Sequence, residues 1–147
     1  MKISTKIRYG ARAMLELASR YGEGPIDLKE IARKEDISLK YLEQVINPLR
    51  AAGLVKSIRG SKGGYSLAKP PSQICLYDVV ETLEGAVNLV ECLHDSKACH
   101  KTAFCVTRDI WKEVSDAISQ IFYSITLEDM VSRRKEKESQ DPAMYQI

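Results

Sequence analysis

Apolar residues recur at helical spacing in the N-terminal third of the chain. Between Ser4 and Tyr21 they form the single stripe of an amphipathic helix. A shorter helix is predicted from Asp27 to Lys34, because Asp27 and Glu30 form an acidic variant of the capping box. A third helix is predicted to begin at Ser38, whose hydroxyl can cap it. Two short helices joined by a tight turn are typical of a helix-turn-helix.

Short strand-like runs follow the third helix. Residues 54–59 and 65–68 flank the glycine-rich segment 60–64, which predicts a β-hairpin whose tip can take positive φ and approach another backbone closely. A hairpin in this position is typical of the wing of a winged helix. Arg59 and Lys62 at its tip can reach phosphates or the minor groove of DNA. The alternative is a solvated loop that is rich in glycine because its turn requires it.

Several polar side chains of the third helix lie off its apolar stripe and are free to face a DNA groove. Glu43 is the candidate for sequence discrimination, because a carboxylate is repelled by phosphate unless it accepts a hydrogen bond from a cytosine amino group. The wing is expected to fix the register on the DNA backbone. The candidate DNA-binding residues are Ser38, Lys40, Tyr41, Glu43, Gln44, Arg59, Ser61, Lys62, Gly63 and Gly64.

The pattern changes after residues 69–72, which predict a stiff linker. A short helix is predicted to end at Gly85, and a long helix capped by Thr107 carries a broad apolar face through Ile125. This face is wider than a small winged helix needs to cover itself, so we expect it to pair with the same helix of a second subunit. Packing back onto the chain's own core is the alternative.

Three of the four cysteines, Cys92, Cys99 and Cys105, lie close together between the two predicted C-terminal helices. A packed core gives no reason for such crowding, whereas thiolates at this spacing can converge from a loop on one metal centre. Cys75 lies apart in an apolar setting and is interpreted as a small buried hydrophobic residue.

The expected fold is therefore mainly α. Residues 1–71 are predicted to form a winged helix-turn-helix DNA-binding domain with a small β-hairpin wing, and residues 72–131 a cluster-binding loop and a long C-terminal dimerisation helix. Residues 132–147 are predicted to be a mobile charged tail, because they are too polar to form a core. A dimer with two-fold symmetry suits palindromic double-stranded DNA.

The net charge of +2 conceals two halves of opposite sign. Residues 1–71 carry 14 Lys and Arg against 7 Asp and Glu, and residues 72–147 carry 8 against 13. This asymmetry suggests a nucleic-acid-binding module followed by a segment that does not contact phosphate, with ordinary scatter of surface charge as the alternative.

Neither a membrane span nor a secretion signal is expected. No apolar run is long enough to cross a bilayer, and the N-terminus lacks an apolar core and a cleavage site. We therefore expect a cytoplasmic protein with reduced thiols. Under those conditions clustered cysteines bind metal or respond to oxidants rather than form structural disulfides.

Several segments resemble one family of winged-helix transcriptional regulators, typified by the iron-sulfur cluster regulator IscR, with NsrR and CymR as relatives. The resemblance runs from Met1 to about Met130. It is carried by MKISTKIRYGARAMLELA, by ISLKYLEQVINPLRAAGLVKSIRGSKGGYSLAKP, and by the cysteine trio followed by VTRDIW and SITLEDM. It implies a homodimer, expected to be a repressor, that binds promoter DNA. It also implies an iron-sulfur cluster on Cys92, Cys99 and Cys105, with 2Fe-2S favoured and 4Fe-4S as the alternative.

One position departs from that family pattern. The IscR branch has a His three residues after the last Cys, whereas this chain has Arg108, which stays protonated and cannot coordinate iron. Other branches take a ligand from the partner's first helix, at positions that look like Arg8 and Arg12 here. The resemblance therefore supports three protein ligands and leaves the fourth open. The candidates are His100, His94, Glu91, Asp109, and a solvent or small-thiol ligand.

Other functions of the cysteines compete with a cluster that senses iron-sulfur status, oxygen or nitric oxide. Three Cys with His100 or His94 would satisfy a tetrahedral zinc site, and closely spaced thiols can form a metal-free switch. A zinc-bearing or metal-free thiol-responsive regulator of cysteine-metabolism type is therefore the alternative. No enzyme is expected, because the adjacent Cys99 and His100 point apart on most backbones and the sequence has no phosphate loop.

Overall fold

The chain folds as a helical protein with one short hairpin, and the computed structural model describes residues 1–141. Within these residues it confirms the predicted mainly α winged helix, its hairpin wing and a long helix in the C-terminal half. The helices and strands are α1 Thr5–Ser19, α2 Leu28–Glu35, α3 Leu39–Ala51, β1 Val55–Ile58, β2 Gly64–Leu67, α4 Leu76–Glu84, α5 Glu91–His94, α6 Val106–Ser124 and α7 Leu127–Gln140.

Local capping sets where the first three helices begin. Ser4, Asp27 and Ser38 each accept a hydrogen bond from a backbone N–H in the first turn, at 2.9–3.2 Å. Asp36 takes a left-handed conformation, with φ of 58°, at the end of α2. The next residue, Ile37, is buried and anchors the turn into α3. The helix-turn-helix therefore follows from signals that are local in sequence.

One hydrophobic core joins the N-terminal and C-terminal parts of the chain. Side chains from α1, α2 and α3 pack in a single cluster with residues from the start of α4 and of α7. The core lies between the helix-turn-helix and these C-terminal elements, so burial of both parts depends on the same cluster. Its most buried members are Ala13, Met14, Leu17, Ile31, Leu42, Val45, Ile46, Leu49, Leu67, Ile74, Val79 and Leu127.

The wing is an antiparallel pair in which Val55 lies opposite Leu67 and Ile58 lies opposite Gly64. Buried Val55 and Leu67 anchor its base in the core; the remaining residues of β1 are exposed, whereas those of β2 are half-buried and Tyr65 packs against the core. The backbones of Ile26 and Tyr65 exchange two hydrogen bonds of 2.8 Å. The wing is therefore held at its base by the core and along β2 by the segment that precedes α2.

The corner between α6 and α7 is fixed to the entry of α4. The backbone N–H of Leu76 donates to the carbonyl of Ile125 at 2.8 Å, and that of Leu127 donates to the carbonyl of Ile74 at 2.9 Å. α6 extends away from this corner and leaves apolar side chains in solvent, among them Ile121 at 59% exposure. Among the described residues, no helix is both long and apolar enough to span a membrane.

Two local predictions differ from the structure, one at the start of α6 and one after residue 132. α6 begins at Val106 with Cys105 at its N-cap position, so Thr107 does not cap it. The segment predicted to be a mobile tail from residue 132 instead continues α7 to Gln140, because Thr126 and Asp129 form a capping box that starts a helix and α7 packs on α1. Residues 142–147 of that predicted tail lie outside the described residues.

Cys75 also differs from its interpretation as a buried hydrophobic residue. It is half-buried and stands at the N-cap position of α4. Its backbone N–H donates to Asp78 Oδ2 at 2.9 Å, and its Sγ lies 3.3 Å from the same oxygen. Burial and the neighbouring Asp78 carboxylate raise the pKa of this thiol. Cys75 is therefore a capping residue that stays protonated at neutral pH.

Candidate DNA interface and cysteine loop

The N-terminal half of α3 presents the predicted recognition surface. Lys40, Glu43 and Gln44 are exposed, and Ser38 caps the helix through its hydroxyl. Tyr41 is half-buried, and its ring meets the ring of Tyr9 edge to face, with centroids 5.7 Å apart. The aromatic contact fixes the start of α3 against α1, so the exposed side chains project from a rigid helix.

An open groove of about 390 Å³ separates α3 from the wing. Glu43 lines it from α3, and Arg59 and Gly63 line it from the hairpin. Ser61 and Lys62 are exposed at the wing tip. The structure thus brings the carboxylate proposed to discriminate between bases and a wing cation to the same groove, as a winged helix requires for reading one stretch of DNA.

Gly64 is a positioning residue at the end of the glycine-rich segment, which the sequence predicts can approach another backbone closely; that backbone is the segment around Ile26. It has a φ of 154°, and a Cβ at this position would lie 2.6 Å from the carbonyl carbon of Ile26 and 3.1 Å from the backbone nitrogen of Asp27. Only glycine allows the two backbones to approach so closely. The sequence offered one signal of this contact, the single apolar residue Ile26 between Pro25 and Asp27, but spacing alone cannot identify the residue that Ile26 meets.

The three clustered cysteines lie on one irregular loop. Cys92 is in the short helix α5, Cys99 follows a turn of 3₁₀ helix, and Cys105 stands at the N-terminus of α6. All three are half-buried free thiols. Thr102 Oγ1 donates within this loop to the carbonyls of Ser96 and Cys99, at 3.1 and 3.0 Å.

The thiols share a loop but are not gathered into a ligand set. Across residues 1–141, no group of three or more His, Cys, Asp or Glu side chains is arranged to hold a metal ion. The candidate fourth ligands are all exposed and are likewise not gathered with the cysteines. These candidates are Glu91, His94, His100 and Asp109.

Cys105 is the thiol whose environment favours the thiolate. Its Sγ lies 3.3 Å from Thr107 Oγ1, and this hydrogen bond, together with the backbone N–H of Arg108, holds the pKa of Cys105 below its ordinary value. The thiolate is the form that binds metal and attacks oxidants. Cys105 is therefore chemically distinct from Cys75, although both stand at helix N-termini.

Arg108 stands three residues after Cys105, where the IscR branch of the family pattern has a metal-binding His. Its Nη2 lies 3.5 Å from the carbonyl oxygen of Cys92, and its Nε is buried without a hydrogen-bond partner in residues 1–141. A buried, unpaired cationic donor next to the backbone of Cys92 suits an anionic group in the loop. Three cysteines also supply the thiolate sulfur that an iron-sulfur cluster needs. The donor chemistry of the loop therefore suits a cluster, although the three thiols are not gathered around one point in residues 1–141.

α6 holds the chain that leads into the loop. The backbone N–H of Leu89 donates to Ser115 Oγ at 3.1 Å, and Ser115 is the buried residue of α6. Together with the contact between Arg108 and Cys92, this bond ties two points of the loop's N-terminal arm to α6. A change in the loop would therefore be transmitted to that helix.

These elements define a winged-helix fold in which α2 and α3 form the helix-turn-helix and the β1–β2 hairpin forms the wing. The family model for Rrf2, described as an iron-dependent transcriptional regulator, matches residues 3–133. The chain belongs to the Rrf2 family of transcriptional regulators. This result confirms the resemblance found in the sequence.

Two kinds of relative are similar to the chain. The HTH-type transcriptional regulator CymR of Bacillus subtilis (strain 168) is 47% identical over 132 residues, which are 90% of this chain and 91% of that protein. The solved structure of CymR, "the Global Cysteine Regulator of B. subtilis", covers 90% of this chain and 98% of its own, with a TM-score of 0.77 and 46% identity. The solved structure "T. potens IscR" covers 99% of this chain and 96% of its own, with a TM-score of 0.80 and 41% identity.

The chain is accordingly a DNA-binding regulator of transcription. Its relatives are named as regulators, which confirms the expectation that it is not an enzyme. The comparisons include both CymR, whose structure is titled a global cysteine regulator, and IscR, so family membership by itself does not choose between these two kinds of regulator.

Proposed function

We propose that the chain is a homodimeric cytoplasmic repressor whose binding to palindromic promoter DNA is controlled by an iron-sulfur cluster. The observation that carries this proposal is the set of three half-buried free thiols, Cys92, Cys99 and Cys105, on the loop that leads directly into α6. Thiolates are the usual protein ligands of such clusters. A 2Fe-2S cluster is favoured, a 4Fe-4S cluster is the alternative, and either would report iron-sulfur status, oxygen or nitric oxide.

Three protein ligands suit a sensor. A fourth position filled by solvent or a small thiol would leave the cluster more labile than one held by four protein side chains, so it would respond to changes in the cell. The buried guanidinium of Arg108 would donate to the anionic cluster rather than ligate it. The protein's own contribution is therefore a thiolate trio and a nearby positive charge.

Control of DNA binding would pass through α6. The apolar face exposed on this helix supports pairing with a second copy, and the pairing would set the spacing between the two α3 helices. Because Arg108 and Ser115 link α6 to the loop, gain or loss of the cluster would shift α6 and change that spacing.

The DNA-contacting roles divide between α3 and the wing. Glu43 would select bases by accepting from a cytosine amino group, with Lys40, Tyr41 and Gln44 at neighbouring base edges or phosphates. Arg59 and the tip residues Ser61, Lys62, Gly63 and Gly64 would fix the register on the backbone, and Ser38 would orient the start of α3. The shared groove lined by Glu43 and Arg59 supports this division.

A second function has its own support. CymR is 47% identical to this chain, and residues 1–141 contain no gathered metal-ligand group. Cys105 also has a pKa below its ordinary value, which suits a reactive thiol. The alternative is therefore a regulator of cysteine-metabolism type that responds through metal-free or zinc-bound thiols.

Anaerobic purification separates the two functions. A cluster-bearing protein is expected to be coloured, with iron and sulfide in stoichiometric amounts, and to change its affinity for promoter DNA when the cluster is removed. Substituting Cys92, Cys99 or Cys105 by Ala should abolish the colour, whereas Cys75→Ala is the matched control and should retain it. A colourless protein with stoichiometric zinc, or with no metal at all, would support the alternative and refute the cluster.

A further inference from the structure

We propose that α7 braces the helix-turn-helix through a buried ionic contact between Arg134 and Glu16, which makes Arg134 a positioning residue for DNA binding. The inference rests on the DNA-binding role of α3 and is independent of any cluster. It assigns a function to a C-terminal helix that the DNA interface and the cysteine loop do not use.

Glu16 is a buried carboxylate at the meeting point of three helices. Its side chain is 4% exposed and projects from α1. Lys34 of α2 lies 3.0 Å from Oε2, and Arg134 of α7 lies 2.6 Å from Oε1. Within residues 1–141, Oε1 has no hydrogen bond of good angle, so its contact with Arg134 is mainly ionic. One charge therefore holds α2 and α7 against α1.

Arg134 is the contact that fixes the distal half of α7. The proximal half is held by apolar packing, since Leu127 is fully buried and Met130 and Val131 pack partly against the core. From residue 132 to residue 141 every side chain is exposed except that of Arg134. Arg134 also reaches Ser19 Oγ at 3.4 Å, so its guanidinium spans two residues on the same side of α1.

Lys34 cannot replace Arg134 as the partner of Glu16. The Lys34 side chain is 54% exposed and is free to turn into solvent, whereas that of Arg134 is 23% exposed. Glu35, the next residue of α2, carries a second carboxylate close to Glu16. Without Arg134, Glu16 would keep one mobile cation and one repelling neighbour, so α2 would be pushed away from α1.

Displacement of α2 would reach the recognition helix directly. Lys34 and Glu35 form the last turn of α2, and only Asp36 and Ile37 separate them from Ser38, the cap of α3. The left-handed Asp36 fixes the angle between the two helices. Because only the properly placed α3 binds DNA, the apparent dissociation constant rises as the competent fraction falls.

The test is Arg134→Gln in the full chain, with Glu138→Gln as the matched control. Glu138 lies 3.3 Å from Arg134 on the exposed side of α7, so its substitution removes a contact of the same guanidinium but leaves Glu16 paired. The probe is a 30-base-pair duplex recovered by the wild-type protein from random-sequence DNA. Backbone hydrogen exchange is measured in parallel on the apoprotein.

Arg134→Gln should weaken binding of this duplex by about tenfold, while Glu138→Gln changes it by less than about twofold. Exchange should accelerate in residues 28–38 as well as in residues 132–140. A role confined to the stability of α7 would accelerate exchange only in residues 132–140. Unchanged exchange in residues 28–38, or unchanged DNA affinity, overturns the proposal.

A double variant guards against a protein that does not fold. Glu16→Gln with Arg134→Gln removes both charges and leaves no unpaired buried carboxylate, so its DNA affinity should exceed that of Arg134→Gln by about fivefold. Strictly additive losses from the two substitutions would show that the residues act separately and would also overturn the proposal. Because hydrogen exchange is measured on the apoprotein, it does not depend on any cluster, and failure here is distinct from failure of the cluster proposal.

Discussion

Substitution of Gly64 by Ala should dislodge the wing. The new Cβ would lie 2.6 Å from the carbonyl carbon of Ile26, where ordinary contact needs more than 3.4 Å, and backbone atoms cannot rotate aside as a side chain can. The substitution must therefore separate the two backbones and break the pair of 2.8 Å hydrogen bonds between Ile26 and Tyr65. Two such bonds are worth about 2 kcal/mol together.

Backbone strain adds to this loss. An alanine held at a φ of 154° costs about 1–3 kcal/mol, so the total destabilisation is about 3–5 kcal/mol. At about 3 °C per kcal/mol for a chain of this length, the melting temperature should fall by about 9–15 °C. Differential scanning calorimetry at fixed protein concentration measures the shift, and DNA affinity should fall with it because Arg59 and Lys62 lose their register.

Gly60→Ala is the matched control for this prediction. Gly60 also has positive φ, at 119°, but no atom lies within 4 Å of a Cβ placed there. Its substitution therefore costs backbone strain alone, about 1–3 kcal/mol or about 3–9 °C. Equal melting temperatures for the two alanine variants would refute the reasoning, because the close approach to Ile26 would then carry no energetic weight.

Three further predictions concern charge, assembly and recognition. Burial and the nearby Glu16 carboxylate raise the pKa of Glu35, so the protonated form stabilises the fold and this contribution is lost as pH rises through that pKa. Glu35→Gln should therefore melt at a higher temperature than wild type at pH 7, and the melting temperatures of the two proteins should converge below about pH 4. A Glu35→Gln variant that is less stable than wild type at pH 7 would contradict the direction of this pKa shift. Ile121→Asp on the exposed face of α6 should convert a dimer to a monomer in analytical ultracentrifugation, and an unchanged sedimentation coefficient would exclude this face as the interface. In DNA selections, Glu43→Ala should change the preferred sequence. Lys62→Ala should weaken binding to every sequence and reduce the slope of log affinity against log salt concentration by about one. Equal losses of affinity on every sequence for both variants would argue against separate roles.

Predictions from the sequence succeeded where the determining contacts are local. Asp27 and Ser38 cap helices that begin at the next residue, because a capping side chain acts on N–H groups within one turn. The hairpin was equally accessible, since glycines and flanking apolar runs are adjacent in sequence. Cysteine spacing placed three thiols on one loop, but spacing does not determine how an irregular loop folds, so the ligand geometry did not follow.

Contacts between distant segments account for what was missed. The polar composition after residue 132 predicts a mobile tail, yet Arg134 meets a buried carboxylate on α1 that no local pattern identifies as its partner. A buried Glu in an amphipathic stripe was the available signal for such a pair, since burial of a lone charge is costly. Likewise, only the folded backbone explains why the position of Gly64 opposite Ile26 requires glycine.

The pairing of residues 74–76 with residues 125–127 redefines where the protein can bend. A connector between two modules often serves as a hinge, but here the far end of the connector is joined to the α6–α7 corner by two backbone hydrogen bonds. Ile74 and Leu127 on either side of these bonds are completely buried in the core that also contains Met14. A fragment ending at residue 71 would lose both side chains and expose the underside of α1. The DNA-binding half therefore depends on C-terminal elements for its core. A chimaera that joins it to another dimerisation element would need to include α4 and α7.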